Sequence, residues 1–248
     1  MENNTIYNGD CLELMKEIED ESVNCIICDL PYGTTACSWD SIIPFDKLWE
    51  QYKRIRKDNA PIVLFGSEPF STYLRMSNIN EFKYDWIWQK NKATGFLNAK
   101  KQPLNDYEII SVFYKHQCTY NPQKTKAEKV YKRGFIKRKI SSDCYGKQTD
   151  FIQEDDGMRY PKRIIYFNNN QTNIQIHPTQ KPVELLEYLI KTYSNEGALI
   201  MDNCSGSGTT AIACHNLKRN FICIEKDKEY YEKSIERLKQ AQIKQRLF

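Results

Sequence analysis

Residues 198–225 constrain the fold of this chain more than any other stretch. A short apolar run, Ala198 to Met201, leads into Asp202-Asn203-Cys204-Ser205-Gly206-Ser207-Gly208-Thr209-Thr210; a helical segment runs on to Asn216, and Phe221 to Glu225 reads as a second strand. Strand, glycine turn, helix and strand in that order form a βαβ unit, whose crossover is right-handed. Glycine permits the tight turn and lets a ligand approach the backbone, while the helix N-terminus offers unpaired N–H groups. Glu225, at the end of the second strand, is placed as an acidic residue that accepts hydrogen bonds from ribose hydroxyls. A nucleoside-containing ligand is expected. Gly206, Gly208 and Ala211 also satisfy the relaxed dinucleotide fingerprint G-x-G-x-x-A, so the unit alone leaves a nicotinamide cofactor open.

The rest of the chain continues the alternation of strand-like and helical runs. Strands are expected at Thr5 to Tyr7, Val23 to Cys28, Pro61 to Phe65, Tyr84 to Trp88 and Glu108 to Tyr114. Helices are expected after a possible N-cap at Asp10, over Phe45 to Ile55, Pro69 to Met76 and Pro182 to Tyr193, and from Lys228 to about Gln242. The fold class is α/β: one mostly parallel sheet with an antiparallel strand and helices on both faces. At 248 residues the chain suits one large domain with a modest insertion. The periodicity fades between His116 and about Arg163, where Lys124, Lys126, Lys129, Lys132, Arg133, Lys137, Arg138 and Lys139 crowd together with Tyr120, Tyr131 and Phe135. The expected division is therefore 1–116, an inserted segment 117–165, and 166–248.

Composition narrows the class further. No apolar run approaches the roughly 20 residues of a membrane span, and Met1-Glu2-Asn3-Asn4 lacks the basic and apolar features of a secretion signal. A soluble, cytoplasmic protein without a membrane partner is expected. Nine cysteines, an odd number scattered along the chain, suit reduced thiols, and Cys25 and Cys28 read as buried strand residues. His116 and His215 have no second ligand at metal spacing, so no metal is assigned. Trp86 reads as core, and Trp39 and Trp88 as core or as the lining of a base pocket. A net charge of +4 is too small to argue for a nucleic-acid partner by itself.

A second site follows the strand ending at Cys28. In Asp29-Leu30-Pro31-Tyr32 a carboxylate sits at a strand's carboxyl end, where open α/β sheets bind substrates, and Pro31 stiffens the turn. Asp29 and the Leu30 carbonyl can accept the two hydrogens of an amino group while the Tyr32 ring stacks on a planar base. The tetrapeptide resembles the catalytic motif of amino-group DNA methyltransferases, and Asp202 to Thr210 resembles their cofactor loop. His177-Pro178-Thr179-Gln180-Lys181-Pro182 resembles the segment that precedes that loop in the beta class, and Asn8-Gly9-Asp10-Cys11 resembles the family's N-terminal turn. Leu30 and Cys204 depart from the usual proline and phenylalanine.

The resemblance implies a Rossmann-like methyltransferase sheet that uses S-adenosylmethionine and acts on DNA, with the catalytic motif ahead of the cofactor motif. It implies that Asp29, Leu30, Pro31 and Tyr32 serve catalysis. Asp10, Cys11, Asp29, His177, Thr179, Lys181, Asp202, Cys204, Gly206, Ser207, Gly208, Thr209, Thr210 and Glu225 would line the cofactor, Asp10 at its adenine and the His177 segment at its methionine end. Asp rather than Ser at the head of the tetrapeptide points to adenine N6 rather than cytosine N4. Within this frame the basic run from Lys124 to Lys139 becomes a DNA contact. Rival readings are a nicotinamide-dependent oxidoreductase, which leaves the Asp29 and His177 motifs unexplained, and a catalytically silent DNA-binding subunit. An RNA or protein amide methyltransferase uses the same chemistry. The recognition sequence and any homodimer stay open.

Overall fold

The computed structural model describes residues 1–34, 40–129, 156–169 and 180–246, with two short strands inside 130–155. In chain order the elements are β1 (Thr5–Asn8), α1 (Cys11–Leu14), β2 (Cys25–Cys28), α2 (Phe45–Ile55), β3 (Ile62–Gly66), α3 (Phe70–Ser77), β4 (Phe82–Thr94) and β5 (Asn105–Phe113). There follow β6 (Thr125–Lys126), β7 (Ser141–Ser142), β8 (Gly146–Lys147), β9 (Met158–Arg159), β10 (Ile164–Tyr166), α4 (Val183–Tyr193), β11 (Leu199–Asp202), α5 (Thr209–Asn216), β12 (Asn220–Glu225) and α6 (Lys228–Arg246). Two compact units result, Met1–Asn121 with Arg163–Phe248, and Pro122–Lys162.

The large unit holds an eight-stranded sheet in the order β1-β12-β11-β2-β3-β5-β4-β10. Its pairings are parallel except where β5 runs against β3 and β4. Every residue of β2 and β3 is buried, as expected of parallel strands covered on both faces. Successive side chains point to opposite faces, so Cys25 and Ile27 of β2 join one core with Leu185, Leu189 and Ala211 from α4 and α5. Ile26 and Cys28 join the other, against Leu48, Trp49 and Tyr52 of α2. In α2 the spacing of Leu48, Tyr52 and Ile55 puts all three on the buried face. The sequence expectation of an α/β sheet with one antiparallel strand and helices on both faces matches this architecture.

Most element boundaries differ from expectation by a residue or two. β5 starts three residues early and α6 ends four residues late, and β4 departs furthest, running to Thr94 through mostly polar, exposed or half-buried residues. β10 was not expected. It has one buried residue, Ile165, between exposed Ile164 and Tyr166, too short a run for periodicity to reveal. Trp88 and Trp86 are both core, at 2% and 3% exposure. Trp39 lies outside the described residues. Among the described residues no helix is long and apolar enough to cross a membrane.

In the small unit β6 pairs antiparallel with β9, and β7 with β8. The Lys124 ammonium lies 3.3 Å from Asp156 and over the Tyr160 ring, while Lys126 and Lys129 are exposed. The other basic residues named above, Lys132, Arg133, Lys137, Arg138 and Lys139, lie outside the described residues, with Tyr131 and Phe135.

Candidate active site

A cleft of about 630 Å³ opens at the carboxyl ends of β2, β11 and β12, the edge where open α/β sheets bind ligands. Asp10, Cys11, Asp29 to Tyr32, Lys181, Asp202 to Ser207, Thr209, Thr210 and Glu225 all line it. Its size is that of a small-molecule site. The parallel pairing of β2 with β11 places Asp29 and Asp202 at the ends of neighbouring strands, so the two motifs separated widely in sequence face one cavity. Of the expected cofactor residues, Gly208 does not itself line the cleft, and His177 and Thr179 lie outside the described residues.

The glycine turn is held from three sides. Gly206 and Gly208 take positive φ, 49° and 72°, a conformation that glycine adopts without steric cost. A Cβ on Gly208 would stand 2.9 Å from Ser234 Cβ of α6, so α6 packs where only glycine leaves room. From the same helix Arg237 donates to the Ser207 carbonyl at 2.9 Å and to Thr209 Oγ1 at 2.9 Å. Glu225 accepts from the N–H of Gly206 at 2.7 Å and of Asp227 at 2.8 Å. Burial raises its carboxyl pKa. Glu225 therefore shapes the turn as well as facing the cleft. Ser205 Oγ is buried without a hydrogen-bond partner, an unmet polar atom in a wall of the cleft.

Asp202 closes the turn internally. One oxygen accepts from Thr210 Oγ1 at 2.5 Å and the other from Cys204 N at 3.1 Å. Burial nevertheless pushes its carboxyl up to about 6. Asn203, next in line, accepts from the buried Tyr52 hydroxyl at 2.5 Å, tying α2 to the loop. Cys204 touches the thiols of Cys11 and Cys28, and its hydrogen bond lowers the Cys11 pKa while burial lifts Cys28 to about 12. The departure from phenylalanine at Cys204 is thus filled by a packed group of three sulfurs. Asp10 caps α1 through Leu12 N at 3.0 Å and pairs with Lys226 at 3.0 Å.

The Asp29 turn carries the charged part of the site. Asp29 is 24% exposed, open enough to meet a ligand. The Tyr32 hydroxyl donates to its Oδ1 at 2.6 Å, and the Lys181 ammonium to its Oδ2 at 2.5 Å. Burial raises the Asp29 pKa, opposed by Lys181. Lys181, expected at the cofactor, lines the cleft with its ammonium on the Asp29 carboxylate. Tyr32 stacks on Phe70 at 5.0 Å between ring centroids, so one ring face is already covered. Asp40 accepts from the N–H groups of Gly33 and Thr34 at 2.8 and 2.9 Å and fixes the exit of the turn.

Sequence reasoning missed Glu108 and Lys90. Glu108 on β5 lies 3.2 Å from Lys181 and 2.6 Å from Lys90. Its signal was present: a charged residue that opens the apolar run Ile109 to Phe113. Of the histidines set aside, His116 sits 3.4 Å from Asp58 on the surface. His215 keeps a buried Nε2 without a partner.

These features define a class, an α/β enzyme with a carboxylate-headed turn beside a nucleoside-type loop. The chain belongs to the DNA methylase family, the N6/N4 methyltransferases, whose sequence profile matches residues 23–236. It is 26% identical over 98% of its length to the type II methyltransferase M1.MboII of Moraxella bovis, covering 99% of that protein. It is 28% identical over 94% of its length to the DNA adenine methyltransferase YhdJ of Escherichia coli K12, covering 82% of it. The solved structure of the M1.HpyAVI–SAM complex superposes with a TM-score of 0.64 at 26% identity, covering 94% of this chain and 98% of that one.

Proposed function

We propose that the chain transfers a methyl group from S-adenosylmethionine to the N6 amino group of adenine in DNA. The observation that carries this reading is the meeting of the Asp29 turn and the glycine turn in one cleft, at the ends of adjacent strands β2 and β11. Aspartate at the head of the tetrapeptide supports adenine over cytosine. So does the likeness to an enzyme named for adenine.

The residues fit the cofactor. Ser205 Oγ is an unmet buried polar atom, the first turn of α5 leaves backbone N–H groups without intrahelical partners, and Glu225 and Asp10 supply carboxylates for hydroxyl and amino donors. When bound, S-adenosylmethionine supplies an electrophilic methyl group. Asp29 holds the adenine amino group: its two oxygens each accept one hydrogen bond from the protein, from Tyr32 and Lys181, and keep further lone pairs for the substrate. The carboxylate stabilises positive charge as it grows on the amine nitrogen. Adenine reaches this depth only when unstacked from its duplex, at a cost of a few kcal/mol. Lys126 and Lys129, exposed in the small unit, belong to the basic run assigned to DNA phosphates.

Incubation with labelled S-adenosylmethionine and mixed-sequence DNA, followed by digestion to nucleosides, tests the reading directly. Label should appear in N6-methyladenine. Label in N4-methylcytosine would overturn the base assignment, and no label in DNA would overturn the activity. A further expectation concerns Glu225, whose carboxylate holds Gly206 and Asp227. Glu225→Ala should weaken S-adenosylmethionine binding by roughly 1–3 kcal/mol through loss of these hydrogen bonds and those to the ligand. Calorimetry with S-adenosylmethionine and with NAD checks both the residue and the oxidoreductase rival, which would gain from tight NAD binding.

A further inference from the structure

Behind Asp29 lies a chain of buried charges that no single motif contains. Lys181 Nζ stands between two carboxylates, 2.5 Å from Asp29 and 3.2 Å from Glu108, and over the Phe65 ring at 5.3 Å. Glu108 is held on its other side by Lys90 at 2.6 Å, and Lys90 rests over the Trp88 ring. Side chains of Lys181, Lys90 and Glu108 are 9%, 12% and 13% exposed. Two anions and two cations therefore balance inside the wall of the cleft. Buried charges persist only when paired in this way, and removing one partner leaves the rest uncompensated.

The placement follows from the sheet. Glu108 pairs with Trp88 across β4 and β5, so its side chain emerges near the cleft end of the antiparallel strand. Lys181 sits just before α4, and Asp29 just after β2. With Lys90 on β4, four separate segments thus deliver one ion chain. Lys181 has no competing anion among the described residues other than these two. A free lysine beside Asp29 could swing away, since its stem has four rotatable carbons; Glu108 and Phe65 remove that freedom.

We propose that Glu108 is a positioning residue for the reaction at Asp29: it anchors Lys181, whose ammonium keeps Asp29 ionised and fixed in orientation toward the incoming amino group. The inference rests on the reading of Asp29 as the site of amino-group methylation. Among the described residues, the groups facing Asp29 are Lys181, Glu108 and Tyr32, with Cys28 and Asp202 beside them. Those facing Glu108 are Lys181 and Lys90. Burial tends to raise both carboxyl groups. In Glu108 the two lysines outweigh it and the pKa falls, whereas Asp29, with one lysine and with Glu108 opposing, stays raised. Asp29 is thus the member of the pair that takes up a proton when a cation is lost.

The test is the pH profile of single-turnover transfer beside a ¹³C titration of the Asp29 carboxyl, assigned by Asp29→Asn. In Lys181→Met both the acid limb and the carboxyl titration should move to higher pH by about 1–3 units, the usual effect of an adjacent opposite charge. Lys181→Arg keeps a cation and should restore the limb. Glu108→Gln should move the limb the other way, because one repelling anion is gone. Its plateau should still fall by roughly tenfold, within the range that a small misplacement costs. An unmoved limb and titration in Lys181→Met would overturn the proposal. So would a loss of S-adenosylmethionine affinity larger than the loss of rate, which would make Lys181 a cofactor ligand. If wild-type protein transfers no methyl group while the titration still moves, the ion chain stands and the methylation reading fails.

Discussion

Asp29→Ala is expected to lower single-turnover methyl transfer at least about a hundredfold, the scale of losing one preorganised electrostatic group at a reacting centre. In the proposed mechanism the carboxylate acts on charge that develops only as the amine becomes cationic, so its loss should fall on the transition state more than on bound substrate. DNA binding should persist, and any change in cofactor affinity should be smaller than the change in rate. The substitution also leaves the Lys181 ammonium facing the amine with only Glu108 to neutralise it, which adds to the effect. Single-turnover rates beside equilibrium binding check the result. Near-normal transfer in Asp29→Ala would remove Asp29 from the chemistry.

Asp202 carries the second large effect, on stability. Its carboxyl is lifted from the ordinary 3.8 to about 6 by burial, so the folded protein holds a proton that the unfolded chain has already released. Stability from this group is fully present below pH 3.8 and is lost as pH rises through 6. At about 1.4 kcal/mol per unit the loss is about 3 kcal/mol. Asp202→Asn cannot titrate there. The stability of wild type relative to Asp202→Asn, from denaturant unfolding without cofactor, should fall by most of that amount, about 2.4 kcal/mol, between pH 4 and pH 7. A difference that stays constant over this range would place Asp202 in a less buried setting than the structure gives it.

The two halves of the site were not equally legible. Asp29 and the glycine turn announce themselves, since each is a short run whose residue types are dictated by local geometry: a carboxylate at a strand end, glycine where φ is positive. The strands Ile62–Gly66 and Asn220–Glu225 were legible from their apolar runs, and Phe45–Ile55 from its helical spacing. Glu108 shows only as a charge at the head of the run Ile109 to Phe113, and Lys90 carries no local signature at all. Their meaning comes from the register of β4 against β5 and from a lysine more than seventy residues away, relations that a single sequence does not display. Lys181 was visible as part of a motif, yet its partner was not. Short β10 and the polar extension of β4 escaped for a related reason: pairing to a neighbour decides them more than their own composition does.

Strand order also sets a timetable for synthesis. β1 has one neighbour in the sheet, β12, with Thr5 against Ile222, and β2 pairs with β11 through Ile200 and Met201. On a ribosome adding about 5–20 residues per second, roughly ten seconds or more pass between the emergence of β1 and that of its partner. Until β11 has emerged, the nascent chain presents Asp29 at the end of a strand with one edge unpaired. The cleft edge at Asp29 is therefore complete only once β11 has emerged, and a chain halted before it would carry Asp29 without the strand that bears Asp202.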